Sequence, residues 1–155
     1  MTEAVEGGRA RPTHATSLGA VARFSPEGVG APLGAYSHIA AVPSGARWVC
    51  ISGQVGNPAP TDLGDQTRTA LARVSALLSA ADAAPEHIVR FTSYLVAGAS
   101  KDEYTSARDG VLCEWFPEGD FPGHSLAFVS ALAQPGLLVE IECWAAVPAS
   151  EREAC

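Results

Sequence analysis

Four short stretches of the sequence hold side chains able to move protons or grip a small ligand. Over residues 138–147 the pattern is strand-like, and residues two apart on a strand share a face. Leu138, Glu140, Glu142, Trp144 and Ala146 therefore point one way, and Val139, Ile141, Cys143, Ala145 and Val147 the other. The second set reads as core. Glu140 and Glu142 then share a face among apolar neighbours, where a carboxyl drawn partly out of water has a raised pKa and serves as a general acid or base. The commoner arrangement, two acids on a solvated or subunit-facing edge paired with arginines, competes with that reading. The second stretch, Phe121-Pro122-Gly123-His124-Ser125, leaves a turn and enters a strand. It sets His124 where an imidazole can exchange protons near neutral pH, although a lone loop histidine is more often a surface residue. Gly34-Ala35-Tyr36-Ser37-His38 places a tyrosine and a histidine beside glycine at the opening of a strand. Ser52-Gly53-Gln54 closes the next strand with a glycine that lets backbone approach a ligand. Gly53-Gln54-Val55-Gly56 has neither the lysine of a phosphate-binding loop nor dinucleotide-fold spacing. His14 and His87 read as exposed.

Positioning these residues requires a recognisable set of elements. Residues 1–16 lack apolar periodicity and read as a disordered tail, followed by a domain over 17–148 and a short C-terminal tail over 149–155. An edge strand is predicted over 18–24. The β-prone runs 36–42 and 47–52 flank Pro43-Ser44-Gly45-Ala46, which predicts a β-hairpin. Leu71, Val74, Leu77, Leu78 and Ala81 recur at helical spacing and predict an amphipathic helix over 65–82. Residues 87–96 are rich in β-branched and aromatic types and read as a central strand. Ser100-Lys101-Asp102-Glu103 has the form of a capping box opening a second helix. That helix turns Tyr104, Ala107, Val111 and Trp115 to one face and ends before Pro117. Strands over 125–133 and 138–147 complete the chain. Two helices on one face of a mixed six-stranded sheet leave the other face bare, so association of subunits is expected.

The bulk composition bounds the function. A chain of 155 residues, 47% hydrophobic, suits one domain with one core. A formal net charge of -7, with only ten Lys and Arg, argues against a nucleic-acid partner, whose phosphates call for clustered cations. No apolar stretch approaches the roughly 20 residues of a membrane span, and the N-terminus lacks the order of a signal peptide, so a cytoplasmic protein without membrane partners is expected. Cys50, Cys113, Cys143 and Cys155 form no CxxC pair, which points away from a metal site or disulfide framework. Cys50 and Cys143 lie in apolar runs and read as buried thiols.

In order and spacing the motifs Gly34-Ala35-Tyr36-Ser37-His38, Ile51-Ser52-Gly53-Gln54, Gln66-Thr67-Arg68-Thr69-Ala70-Leu71, Phe121-Pro122-Gly123-His124-Ser125 and Val139-Glu140-Ile141-Glu142 resemble the Rid (reactive intermediate deaminase, YjgF-type) family over about residues 18–147. The resemblance implies a chorismate-mutase-like α/β (α+β) sandwich, a homotrimer with small-molecule clefts between subunits, and no cofactor. It also implies hydrolysis of reactive enamines or imines, with Glu140 near the water, Tyr36, Ser52 and Gly53 lining the cleft, and Asp109 as a polar contact from the second helix. Where the family carries a carboxylate-clamping arginine this chain has His124, and His38 replaces the glutamine after Tyr-Ser. Histidine has no bidentate fork and is mostly neutral at pH 7, so an Arg-less enzyme is expected, acting on a substrate other than a simple 2-imino acid, with Glu140 and His124 as proton-transfer groups. Its reaction is hydrolysis, tautomerisation, or a dehydration or cyclisation step of specialised metabolism. A non-catalytic trimer that binds a metabolite or supports a partner is the alternative.

Overall fold

The computed structural model describes residues 20–149; the two predicted tails, His14 and Cys155 lie outside or almost outside that span. Strands β1 (Ala22–Phe24) and β2 (Ile39–Ala41) pair antiparallel as a small two-stranded sheet. The main sheet has four strands, β3 (Arg47–Val55), β4 (Ile88–Val96), β5 (Gly123–Val129) and β6 (Val139–Val147), in the order β3-β6-β4-β5. Only the β4–β5 pairing is parallel, and helix α2 (Lys101–Trp115) connects its two strands. Helix α1 (Leu63–Ala80) connects β3 towards β4 through a single 3-10 turn at Pro85–His87.

The six predicted strands are present, but as two sheets rather than one. The predicted hairpin does not form: β2 pairs with β1 and β3 with β6, so the Pro43–Ala46 turn joins different sheets. The helix predicted over 65–82 starts two residues earlier, because the Asp62 carboxylate accepts the Asp65 N–H at 2.7 Å. At α2 half of the expected capping box is made. Ser100 Oγ accepts the Glu103 N–H at 3.2 Å, but the Glu103 carboxylate turns away and accepts Gly64 N–H at 3.0 Å, tying α2 to the first turn of α1.

Both helices cover the same face of the main sheet. Val49, Ile51, Phe91, Leu95, Val139, Ile141, Cys143 and Ala145 pack there against Leu71, Val74 and Leu78 of α1 and Tyr104 and Leu112 of α2. Alternation sends Glu140, Glu142 and Trp144 to the opposite, uncovered face. On that face Trp48 and Trp144, 53% and 45% exposed, meet edge to face at 6.2 Å. Cys50 lies in the Trp144 row and is exposed, as is Cys113, while Cys143 is buried as expected.

One buried side chain locks the loops to this frame. Gln66, fully buried on α1, donates to the carbonyls of Thr61 and Gly136 at 3.1 and 3.0 Å and accepts the Leu138 N–H at 2.9 Å. Gly56 must lack a side chain because a Cβ there would overlap the Gln66 backbone. Gln66→Leu keeps the bulk but strands three buried backbone groups, and should destabilise the fold by about 2–3 kcal/mol. Denaturant unfolding of the two chains measures the difference.

Candidate functional site

The candidate residues fall into two groups on opposite faces of the main sheet. In the first, β3 and β6 shift register: Ile51 faces Cys143 but Gln54 faces Ile141, so Ser52 and Gly53 together oppose Glu142 in a bulge. The bulge brings Gly53 against the Glu140 side chain, where an added Cβ would lie 2.6 Å from the carboxyl carbon. Glycine is therefore a steric requirement of the Glu140 position. The Ser52 carbonyl accepts from Gln54 Nε2 at 3.0 Å, and the Ser52 side chain lies exposed beside the glycine.

The second group lies at the start of β5, on the helix-covered face. His124 aligns with Phe91, whereas Glu140 aligns with Tyr94, a residue of opposite phase on the same strand. Hydrogen bonding carries the backbone of the Tyr36–His38 segment to this place: Ser37 N–H donates to the Pro122 carbonyl at 3.2 Å, and the rings of Tyr36 and His38 meet edge to face at 5.6 Å. Gly34 sits beside Arg108, and a Cβ added there would lie 3.7 Å from Nη2.

Helix α2 delivers the remaining polar groups. Arg108 sends Nε and Nη2 to the same oxygen, Oδ1 of Asp109, at 2.7 and 2.6 Å, and its Nη1 lies 3.1 Å from His124 Nδ1. A guanidinium has donors only, so Nδ1 must be the acceptor and the ring proton of neutral His124 must be on Nε2. Nε2–H then points to Ser93 Oγ at 3.1 Å, with Tyr104 OH at 3.3 Å. Tyr104 donates in turn to Ser93 Oγ at 2.7 Å, and burial pushes its phenol above the ordinary value. Burial first, then the charges of Arg108 and Arg90, lower His124 from 6.5 to about 4. Arg90 itself is on the other face, donating to Ser125 Oγ at 2.6 Å.

Both ring nitrogens of His124 are thus engaged within the chain, and the imidazole is neutral. In this arrangement the ring bridges Arg108 and the Ser93–Tyr104 pair. Arg108, Asp109 and His124 come together on the covered face, with the backbone of the Tyr36–His38 segment tied to Pro122 at the entrance of the same strand, and Ser52, Gly53 and Glu140 lie on the uncovered face. Within one chain the two sets do not meet. Sequence reasoning misses Arg108, although its spacing of four from Tyr104 puts it on the buried side of α2; an arginine is ordinarily read as reaching for solvent. His87 is half-buried rather than exposed, its Nδ1 accepting Ala84 N–H at 2.9 Å. Among the described residues no group of His, Cys, Asp and Glu is arranged to hold a metal ion, and no helix is long and apolar enough to cross a membrane.

The profile described as Endoribonuclease L-PSP matches residues 29–147. YyfB of Yersinia pestis, a protein of the conserved Rid family, is 30% identical, with 82% of this chain and 98% of that one covered and a TM-score of 0.71. This chain is a member of the YjgF/Rid family. Rv2704 of Mycobacterium tuberculosis, from the YjgF/YER057c/UK114 family, is 31% identical over 72% of this chain and 86% of that one, with a TM-score of 0.54. TdcF of Escherichia coli, solved with bound serine, is 26% identical over 68% and 84%, with a TM-score of 0.53. No curated protein matches the chain. In this Rid protein the motif histidine is not a free substitute for a cation, since a guanidinium from α2 stands directly behind it.

Because His124 takes a proton more readily in the unfolded chain than in the fold, stability should be full above pH 6.5 and fall as the pH drops towards about 4. A tenfold difference in proton affinity corresponds to about 1.4 kcal/mol, which puts the loss at about 3 kcal/mol or less. His124→Asn, whose amide oxygen still accepts from Arg108, should flatten that slope. Unfolding midpoints measured across this pH window check it.

Proposed function

We propose that this Rid protein is an enzyme acting on a small organic substrate by proton transfer, in clefts between the subunits of a homotrimer. The observation that carries the reading is the division of the site residues between two faces of one sheet. Glu140 on its Gly53 seat occupies the uncovered face, and the Tyr36–His38–Arg108–Asp109–His124 set occupies the far end of the covered one. A cleft using both sets takes one from each of two neighbouring chains. The exposed Trp48 and Trp144 support the same assembly, since an apolar sheet face of this kind calls for a cover. A cyclic trimer supplies the cover and three clefts at once.

In such a cleft Glu140 is the acid–base group. For a protonated imine, it takes one proton from water as the oxygen adds to the C=N carbon and returns it to the nitrogen of the resulting carbinolamine; as the C–N bond then breaks it takes the remaining hydroxyl proton, leaving a carbonyl compound and an amine, which carries that proton away as its ammonium. The same carboxyl performs tautomerisation by moving a proton between carbon and nitrogen or oxygen. The serine bound to TdcF supports a small polar ligand in this fold. The family description names an endoribonuclease, but a net charge of -7 does not favour an RNA substrate. A non-catalytic trimer binding the same class of metabolite is the second reading, favoured by the internal use of both His124 nitrogens.

Light scattering should give three times the 16.0 kDa chain mass. On a panel of imines and enamines generated in solution, those lacking a carboxylate should turn over faster than 2-aminoacrylate. Glu140→Gln should lower turnover by about 10²–10⁴-fold with the trimer intact. Refolding Glu140→Gln together with a variant of the other set that is inactive on its own, with Tyr36→Phe the first to try, should restore intact clefts at about a quarter of all sites, as random assembly around a cyclic trimer dictates. A monomer, or no recovery on mixing two variants that are each inactive alone, sinks the shared cleft. Full activity of Glu140→Gln sinks the catalyst.

A further inference from the structure

We propose that Arg108 is the positioning residue of the site: its Nη1 fixes His124 as the neutral, Nε2-protonated tautomer, and its double contact to Asp109 cancels its own charge, so the centre offers an incoming ligand no free cation. Three geometric facts converge on this. The Nη1–Nδ1 separation of 3.1 Å allows only one donor, the guanidinium. The edge of the guanidinium that would grip a carboxylate side-on, Nε with Nη2, is already engaged by Asp109 Oδ1. And the pair is unevenly exposed, the Arg108 side chain at 7% and that of Asp109 at 34%, so a ligand reaching the pair meets the acid before the base.

The groups facing the ring are Tyr104 and Arg108 of α2, with Asp109 behind Arg108, and Ser93 of β4, while Arg90 of β4 acts on it only by its charge from the other face. None but Asp109 is an anion, and Asp109 is held by Arg108. Nothing around His124 therefore favours its protonation, in accord with its value of about 4. Selectivity follows from the same arrangement. A ligand with an N–H or a neutral carbonyl meets oriented partners, whereas a carboxylate meets a compensated ion pair.

Nitrogen-15 NMR of histidine-labelled full-length chain tests the first half, with His124 assigned through His124→Asn. In the native chain Nδ1 should resonate as an unprotonated nitrogen and Nε2 as a protonated one, and the ring should stay neutral as the pH falls through the ordinary histidine range. In Arg108→Met the titration should move up by about one pH unit or more and the tautomers should mix. Arg108→Lys, which keeps a cationic donor, should hold the native tautomer. A protonated Nδ1 in the native chain overturns the proposal even if the methionine variant fails to fold, as does an Arg108→Met ring that behaves like the native one. For the second half, propionate is the probe. It should shift the His124 signals in Asp109→Asn, where the guanidinium is released, at concentrations about tenfold or more below those the native chain requires. Equal affinity in the two chains overturns the charge cancellation. These readouts involve no turnover and no subunit exchange, so they stand or fall apart from the proposed reaction.

Discussion

A strand sends successive side chains to opposite sides of its sheet, and among the described residues two helices cover one side. Nearly everything else in the molecule depends on that inequality. The covered side takes the aliphatic rows of β3, β4 and β6 and becomes the core. The uncovered side keeps two tryptophans and two glutamates. Because His124 and Glu140 sit in rows of opposite phase, no rotamer change brings them together within the chain. Chemistry that uses both has to be assembled from outside the subunit, so the fold and the proposed oligomer are one problem rather than two.

The covered side carries a second constraint, the presence of a guanidinium beneath α2. Taking a charge out of water costs several kcal/mol unless partners replace the lost hydration. Arg108 replaces it with the Asp109 carboxylate on two nitrogens, a histidine nitrogen on the third, and the Tyr104 ring 5.5 Å from its carbon. The solution constrains every neighbour in turn. Asp109 is held in one orientation, His124 in one tautomer, and Ser93 accepts from both the imidazole and the phenol. Glu103 performs a related service at the other end of the helix pair by accepting the Gly64 N–H. Rigidity at the site is thus a by-product of burying polar groups that must all be satisfied.

Much of the frame is legible in the residues because its signals are local. The spacing of Leu71, Val74 and Leu78 marks α1, Ser100 marks the start of α2, and the alternation after Leu138 separates core from open face on β6. Pairing is not local. The Pro43–Ala46 turn has hairpin chemistry, yet β3 finds its partner at the far end of the chain in β6, and β2 finds β1. The same lack of register hides the relation of Glu140 to His124, since each strand shows its own alternation but not its phase against a neighbour two strands off. Cys50 is misread for that reason: its neighbours are apolar, but its face is the open one. Arg108 is hidden by a sound prior, that arginine on a helix reaches solvent, which fails where an adjacent aspartate and a histidine across the gap make burial tolerable.

The histidine at the strand entrance, where the resemblance to the family leads to the expectation of an arginine, reads differently once α2 is considered. An arginine at position 124 would add a second guanidinium beside Arg108, and two cations at hydrogen-bonding distance repel strongly where water is scarce. A neutral acceptor is the side chain that Arg108 tolerates there, and histidine adds to it a second nitrogen that satisfies Ser93 and Tyr104. Position 124 and position 108 are therefore coupled: the guanidinium on the helix calls for a neutral acceptor on the strand, and its own charge is taken up by Asp109.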